Sequence, residues 1–156
     1  MSNNSPLSAK AQDASIAPMH SCEHIVNQAM IRLFGCGRSV EAHIERKKSK
    51  LDYLLPAAPG AEELQRLENE VNRVIDLDLP VYMTYISAEE AARSFDLRRL
   101  PQGEVPEQVR VVHIGDYDQC LCIGQHVEHT AQIGHFRISS SSYEDGRLRI
   151  RFKLVE

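Results

Sequence analysis

A chain of 156 residues that is 42% hydrophobic and 26% charged carries enough apolar side chain to bury one domain's core without disulfide staples. Eighteen Lys and Arg against 22 Asp and Glu leave a formal net charge of −4, which disfavours bulk duplex binding by counterion release. No apolar run approaches the ~18 residues that span a bilayer, and MSNNSPLSAKAQDAS lacks the basic and then apolar stretches of a secretory signal. No membrane partner and a cytoplasmic location are therefore expected. Cys22, Cys36, Cys120 and Cys122 then read as free thiols or metal ligands rather than disulfides.

Residues 1–15 are rich in Ser, Asn and Ala and are expected to be a flexible lead-in to a single domain over residues 16–156. Pro18 suits a first helical turn, where its missing N–H costs nothing. Ile25, Ala29 and Leu33, flanked by Met30 and Phe34, recur at helical spacing, and Gly35 and Gly37 supply the stop. Val40–Ile44 and Lys50–Leu55 read as a hairpin or two short strands around Arg46-Lys47-Lys48-Ser49-Lys50. A second helix is predicted from about Ala61 to Asp76 on the stripe Leu64, Leu67, Val71, Val74 and Ile75, ended by Pro80. Val81–Ile86 is a predicted strand, Ser87 with Glu90 opens a short helix to about Phe95, and residues 96–107 read as a loop. The last third reads as strands over Val109–Ile114, Gln119–Ile123, Gly134–Ser140 and Leu148–Val155, with a turn at Asp145-Gly146. Helices and strands mix without a regular βαβ alternation. That predicts an α+β domain, an antiparallel sheet packed with a few helices.

The surplus of His and Cys is concentrated in two pairs. His20-Ser21-Cys22-Glu23-His24 sets two imidazoles four residues apart on one helix face, a spacing that lets both reach one metal ion. Cys122-Ile123-Gly124-Gln125-His126 sets a thiol and an imidazole four apart at a strand end, where Gly124 lets the backbone turn tightly. Together these make the N3S donor set that zinc accepts. The competing reading makes Cys122 a small buried apolar side chain and His126 an ordinary hydrogen-bonded residue. H-x-x-E-H also matches the inverted zincin signature, with Glu23 as general base and Glu89 or Glu90 as third ligand, but that leaves Cys122 and His126 unused.

HSCEHIVNQAM, VEAHIERKKSKLDYLL, RLENEVNRVIDLDLPVYMTYISAEEA and VRVVHIGDYDQCLCIGQHVEHTAQIGHFRI follow one another within residues 18–154. In that order they resemble the editing domain of alanyl-tRNA synthetase, its free-standing homologues and the related second domain of threonyl-tRNA synthetase. The resemblance implies the editing-domain fold, zinc held by His20, His24, Cys122 and His126, and hydrolysis of the ester that joins a wrong amino acid to a tRNA. Serine or glycine on alanine tRNA is the implied substrate, and the tRNA acceptor end the implied partner. In the threonine branch a similar pocket clears serine, generally without zinc. The chain is too short for an aminoacylation or anticodon module as well, so a small trans-acting deacylase is expected. Where the family usually reads CGGTH, this sequence has Cys122-Ile123-Gly124-Gln125-His126, and the acidic residue common two positions before the cysteine is Cys120. Both departures bear on which amino acid is removed.

Zinc can activate water, polarise the ester carbonyl or hold the substrate's amine, and the sequence does not choose among these. Glu23, Cys120, Gly124 and Gln125 are the pocket candidates, with Glu23 a conceivable base and the amides around Gly124 a conceivable oxyanion site. No catalytic residue is singled out. Candidates for tRNA contact are Arg46, Lys47, Lys48 and Lys50, and Arg147 and Arg149 on the alternating last strand. A non-catalytic zinc- or tRNA-binding module is the alternative to an enzyme.

Overall fold

Eighteen residues from Ala17 to Phe34 form helix α1, with Pro18 in its first turn as its sequence predicts. The computed structural model describes residues 13–95 and 107–156. A 3-10 turn, Ala14–Ile16, precedes α1, with the Asp13 carboxylate accepting from Ser15 N at 2.9 Å. The expected lead-in thus ends in ordered structure, and its first twelve residues lie outside the described ones. Helix α1 stops at Gly35, whose φ of 69° lets its N–H return to Ile31 O at 2.9 Å.

The expected hairpin is present as β1 (Glu41–His43) and β2 (Lys48–Leu54). Helix α2 (Ala61–Asp76) buries Leu67, Val71, Val74 and Ile75, four of the five stripe residues, while Leu64 stays half-buried. Strand β3 (Val81–Ser87) leads into α3 (Ala88–Ser94), where the Ser87 hydroxyl accepts from Glu90 N at 3.1 Å. The loop expected at residues 96–107 lies outside the described residues up to 106. Strands β4 (Gln108–Ile114), β5 (Asp118–Leu121), β6 (His135–Glu144) and β7 (Arg147–Val155) complete the chain.

The antiparallel α+β architecture is borne out, with the strands divided between two sheets. One has the order β1-β2-β7-β6 and the other β3-β4-β5. Strand β5 ends at Leu121, two residues earlier than expected, because the chain turns away at Cys122 to form the loop that carries His126. Strand β6 runs four residues past its predicted end at Ser140. Serines have weak strand preference, but pairing with β7 from His135 opposite Val155 to Glu144 opposite Arg147 outweighs it. Asp145 and Gly146, with φ of 51° and 79°, close that hairpin.

Leu51, Tyr53, Leu148, Ile150 and Phe152 point inward from β2 and β7 and form one core with α1 and α2. A smaller core lies between α3 and the second sheet, around Ala91, Val109, Val111 and Leu121. Helix α1 is buried on most of its circumference, so its polar residues Ser21, Glu23, His24 and Asn27 are buried too. Such groups need partners; Asn27 Oδ1, for example, accepts from Tyr53 Oη at 2.7 Å and Ser39 N at 3.1 Å.

On the outer face of the first sheet, Asp52 accepts from Arg147 Nε at 2.8 Å and Arg149 Nε at 2.9 Å. The Arg149 guanidinium, and after it the burial-opposed Arg147, hold the Asp52 carboxyl below the usual carboxylate range. A lowered folded-state value means that the stabilisation is full above the unfolded value, near ~4, and fades as pH falls through the folded one. Asp52→Asn is therefore expected to cost about 1–3 kcal/mol at neutral pH. Urea titrations should show that difference shrinking in acid.

Candidate metal centre

Alternation along the segment from Asp118 places Asp118, Cys120 and Cys122 on one side, and β5 packs against α1 on that side. Helix α1 offers His24 to the same point, and the loop after β5 brings His126 back to it. Donor atoms of His24, Cys122 and His126 all lie within 4.8 Å of one another, the His24 side chain fully buried and His126 partly so. Ring centroids of His24 and His126 are 4.6 Å apart and their planes lie at 81°.

His20 stands beside this trio. Its ring stacks on His126 with centroids 5.2 Å apart and planes at 23°, and its Nε2 is 3.8 Å from Glu23 Oε1. It is not part of the three-donor group.

Each of the three donors is held from behind. Asp118 Oδ2 lies 3.7 Å from His24 Nδ1, an ion-pair distance, and both ring nitrogens of His24 are buried without a hydrogen bond. The Ser21 hydroxyl lies 3.0 Å from His126 Nδ1 and accepts from Val127 N at 3.1 Å. When Nδ1–H donates to Ser21, the His126 Nε2 lone pair is available to a metal. The Gly124 N–H donates to Cys122 Sγ at 3.4 Å.

His24 and Cys122 perturb one another's titration. Burial opposes charge on His24, but Asp118 and Cys122 outweigh it and push the imidazole up to about 10. Burial likewise raises the Cys122 thiol, yet the neighbouring His24 and the Gly124 N–H bring it below its usual value. Buried imidazole nitrogens without a hydrogen bond and a cysteine sulfur, with donor atoms of His24, Cys122 and His126 within 4.8 Å, are the donor chemistry of zinc. The residues present fit the metal.

Several supporting residues escape sequence reasoning. Asp118 is completely buried and receives both guanidinium nitrogens of Arg38 at 2.9 Å and Gln28 Nε2 at 2.9 Å. Gly115-Asp116-Tyr117-Asp118 reads as an ordinary turn, but the D-x-C-x-C alternation was a signal that Asp118 shares Cys122's face. Arg110 donates from Nε to Cys122 O at 2.7 Å and from its other end to Gly124 O, shaping the turn that presents the cysteine. A lone arginine among Val109, Val111 and Val112 was the visible clue. The His126 loop is then anchored at its far end. The buried Thr130 hydroxyl accepts from Leu79 N at 2.8 Å and donates to Ile75 O at 3.0 Å. Asn72 clamps Phe136, accepting from its N at 2.7 Å and donating to its O at 3.0 Å.

Of the pocket candidates, Glu23 is buried beside His20, Gly124 is buried, and Gln125 is exposed next to His126. Cys120 is buried with its Sγ 3.4 Å from Leu121 O, outside the three-donor group. Glu89 and Glu90 are exposed on α3, and Glu90 lines a cavity of about 590 Å³ with Thr84, Ile86, Val111 and Leu121, on the face of the second sheet that packs against α3. Cys22 is fully buried in the core, and burial raises its thiol.

Residues 109–151 match the family described as threonyl and alanyl tRNA synthetase second additional domain. Similarity to curated proteins extends further along the chain. An alanine–tRNA ligase of Methanocella arvoryzae is 30% identical over 151 residues, covering 94% of this chain and 17% of the relative. The corresponding ligase of Pelotomaculum thermopropionicum is 33% identical over 141 residues, covering 89% of this chain and 16% of the relative. That of Idiomarina loihiensis is 34% identical over 122 residues, 78% of this chain and 14% of the relative. The chain thus spans no more than 17% of the length of these relatives. Among the described residues no helix is long and apolar enough to cross a membrane.

Proposed function

The chain belongs to the family of threonyl and alanyl tRNA synthetase second additional domains, and on that premise we propose that it hydrolyses the aminoacyl ester of mischarged tRNA, acting in trans. The observation that carries this reading is the meeting of His24, Cys122 and His126, three donors from sequence-distant segments, beside a stacked His20. Serine or glycine attached to alanine tRNA is the substrate we favour, and the acceptor end of that tRNA the partner.

In this reading His24, Cys122 and His126 hold zinc, with His20 the fourth ligand once its ring leaves the stack. A zinc ion there would supply Lewis acidity toward the ester. Asp118 and Ser21 keep the two inner imidazoles in the ligating orientation. Arg110 fixes the carbonyls of Cys122 and Gly124, so the amides of this turn stay in place beside the reacting ester. Gln125, exposed next to His126, is positioned to meet the arriving amino acid.

A panel of alanine tRNAs charged with serine, glycine or alanine, incubated with metal-analysed protein, tests the proposal. Release of serine or glycine, with alanine spared and zinc stoichiometric, is the expected result. Full zinc content with no hydrolysis of any member would sink the enzymatic reading in favour of a metal- and tRNA-binding module.

A further inference from the structure

The outer face of the four-stranded sheet is divided electrostatically. At one end Arg147 and Arg149 are taken up by Asp52, and Arg147 also by Glu41. At the other end Lys48 lies directly opposite Lys153, Lys50 opposite Arg151, and Lys153 opposite Arg137 on β6. Among the described residues none of these five cations pairs with a carboxylate. Lys48, Arg137, Arg151 and Lys153 are exposed and Lys50 half-exposed. Like charges directly opposite one another on a sheet repel and cost stability. A chain of net charge −4 that concentrates facing cations on one patch keeps them against its own fold's interest.

We propose that this basic half-face is a docking surface for the phosphate backbone of an RNA duplex, the helical part of the tRNA that the proposed function takes as substrate. Cations two residues apart on a strand stand about 6.6–6.8 Å apart, and neighbouring strands about 4.8 Å apart. Lys48, Lys50, Arg151 and Lys153 therefore form a small rectangle of positive charge, which Arg137 extends. Ser140, opposite Arg151 and 3.4 Å from its Nη1, adds a hydroxyl to the same rim. Arg46 and Lys47 lie exposed in the β1–β2 connection next to Lys48. Such a surface reads no base sequence. It positions the duplex and hastens its arrival, leaving selection to the ester-cleaving site. Asp52 marks its boundary, so Arg147 and Arg149 fall outside it.

This inference rests on the deacylase reading for the identity of the RNA, so it is tested with uncharged tRNA, which has no ester to cleave. Lys50→Gln/Arg151→Gln and a charge-matched control, Arg66→Gln/Arg93→Gln, are titrated with that tRNA across a salt series. The face variant should flatten the slope of log affinity against log salt by about 2, roughly 1 per cation removed, with the control unchanged. Its melting temperature should equal or exceed that of the wild type, since a repelling pair has been removed. Slopes unchanged in the face variant, equal losses in both variants, or binding to anionic phospholipid vesicles but not to tRNA would each overturn the surface. Hydrolysis could fail while this binding persists, which would refute the enzyme and not the docking face.

Discussion

Asp118→Asn is expected to destabilise the fold by about 3–5 kcal/mol and to weaken metal binding about 10- to 100-fold. The first effect follows from Arg38, whose guanidinium is largely buried and held by both Asp118 oxygens at 2.9 Å. Removing the carboxylate charge leaves that cation without its counterion in the interior. The second follows from the proposed role of His24, whose Nδ1 lies 3.7 Å from Asp118 Oδ2, so that Nε2 would be the nitrogen offered to a metal. An amide there no longer selects the tautomer with the proton on Nδ1. Replacing both partners, Asp118→Leu with Arg38→Met, should recover most of the stability, because an apolar pair needs no compensation. It should not recover the metal affinity. Calorimetric unfolding with zinc titration separates the two effects, and restored affinity in the double variant would show that Asp118 acts on the fold alone. The pH dependence has a definite sign. Burial works against the Asp118 carboxylate, but His24 and Arg38 outweigh it and hold the group below the usual carboxylate range. Its contribution is complete above about 4, the ordinary value, and disappears as pH falls below that. The wild type should therefore lose stability in acid where Asp118→Asn has nothing left to lose.

The helices and most strands are legible in the sequence because each has its own periodicity and punctuation: Pro18 and Gly35 around α1, the apolar stripe of α2, Ser87 before α3. The partition of strands into two sheets is not, since it depends on which strands pair. Residues 141–144 join β6 only because β7 lies alongside with alternating apolar residues. The metal trio is legible through its two i,i+4 spacings. The residues behind it are not, because Asp118, Arg38, Ser21 and Arg110 act across gaps of 80 residues or more or through backbone carbonyls. Spacing names the candidate ligands, but only packing names what surrounds them. The same limit holds for the basic residues. Arg147, Arg149, Arg151 and Lys153 look equivalent in sequence, and the register that delivers the first two to Asp52 is what separates them.

On metal binding, removing a ligand should have a larger effect than removing its support. Cys122→Ala takes away the sulfur donor, whose thiol the neighbouring His24 holds below its usual value. The side chain is small and nearly buried, so the protein without metal should melt close to the wild type. What should vanish is the stabilisation that zinc adds, because that gain scales with the logarithm of metal concentration over Kd. Wild-type melting temperature should climb with added zinc, and that of Cys122→Ala should stay flat. Ester hydrolysis on the best mischarged tRNA should drop by on the order of 100-fold or more. His20→Ala provides the contrast. With His20 stacked on His126 and outside the three-donor group, its loss should leave zinc bound through His24, Cys122 and His126 while weakening it about tenfold. If His20→Ala abolishes zinc binding as completely as Cys122→Ala, the three-donor group does not hold the ion by itself and His20 is as indispensable as the other ligands. If Cys122→Ala still responds to zinc, the thiolate is not a ligand and the trio has been misassigned.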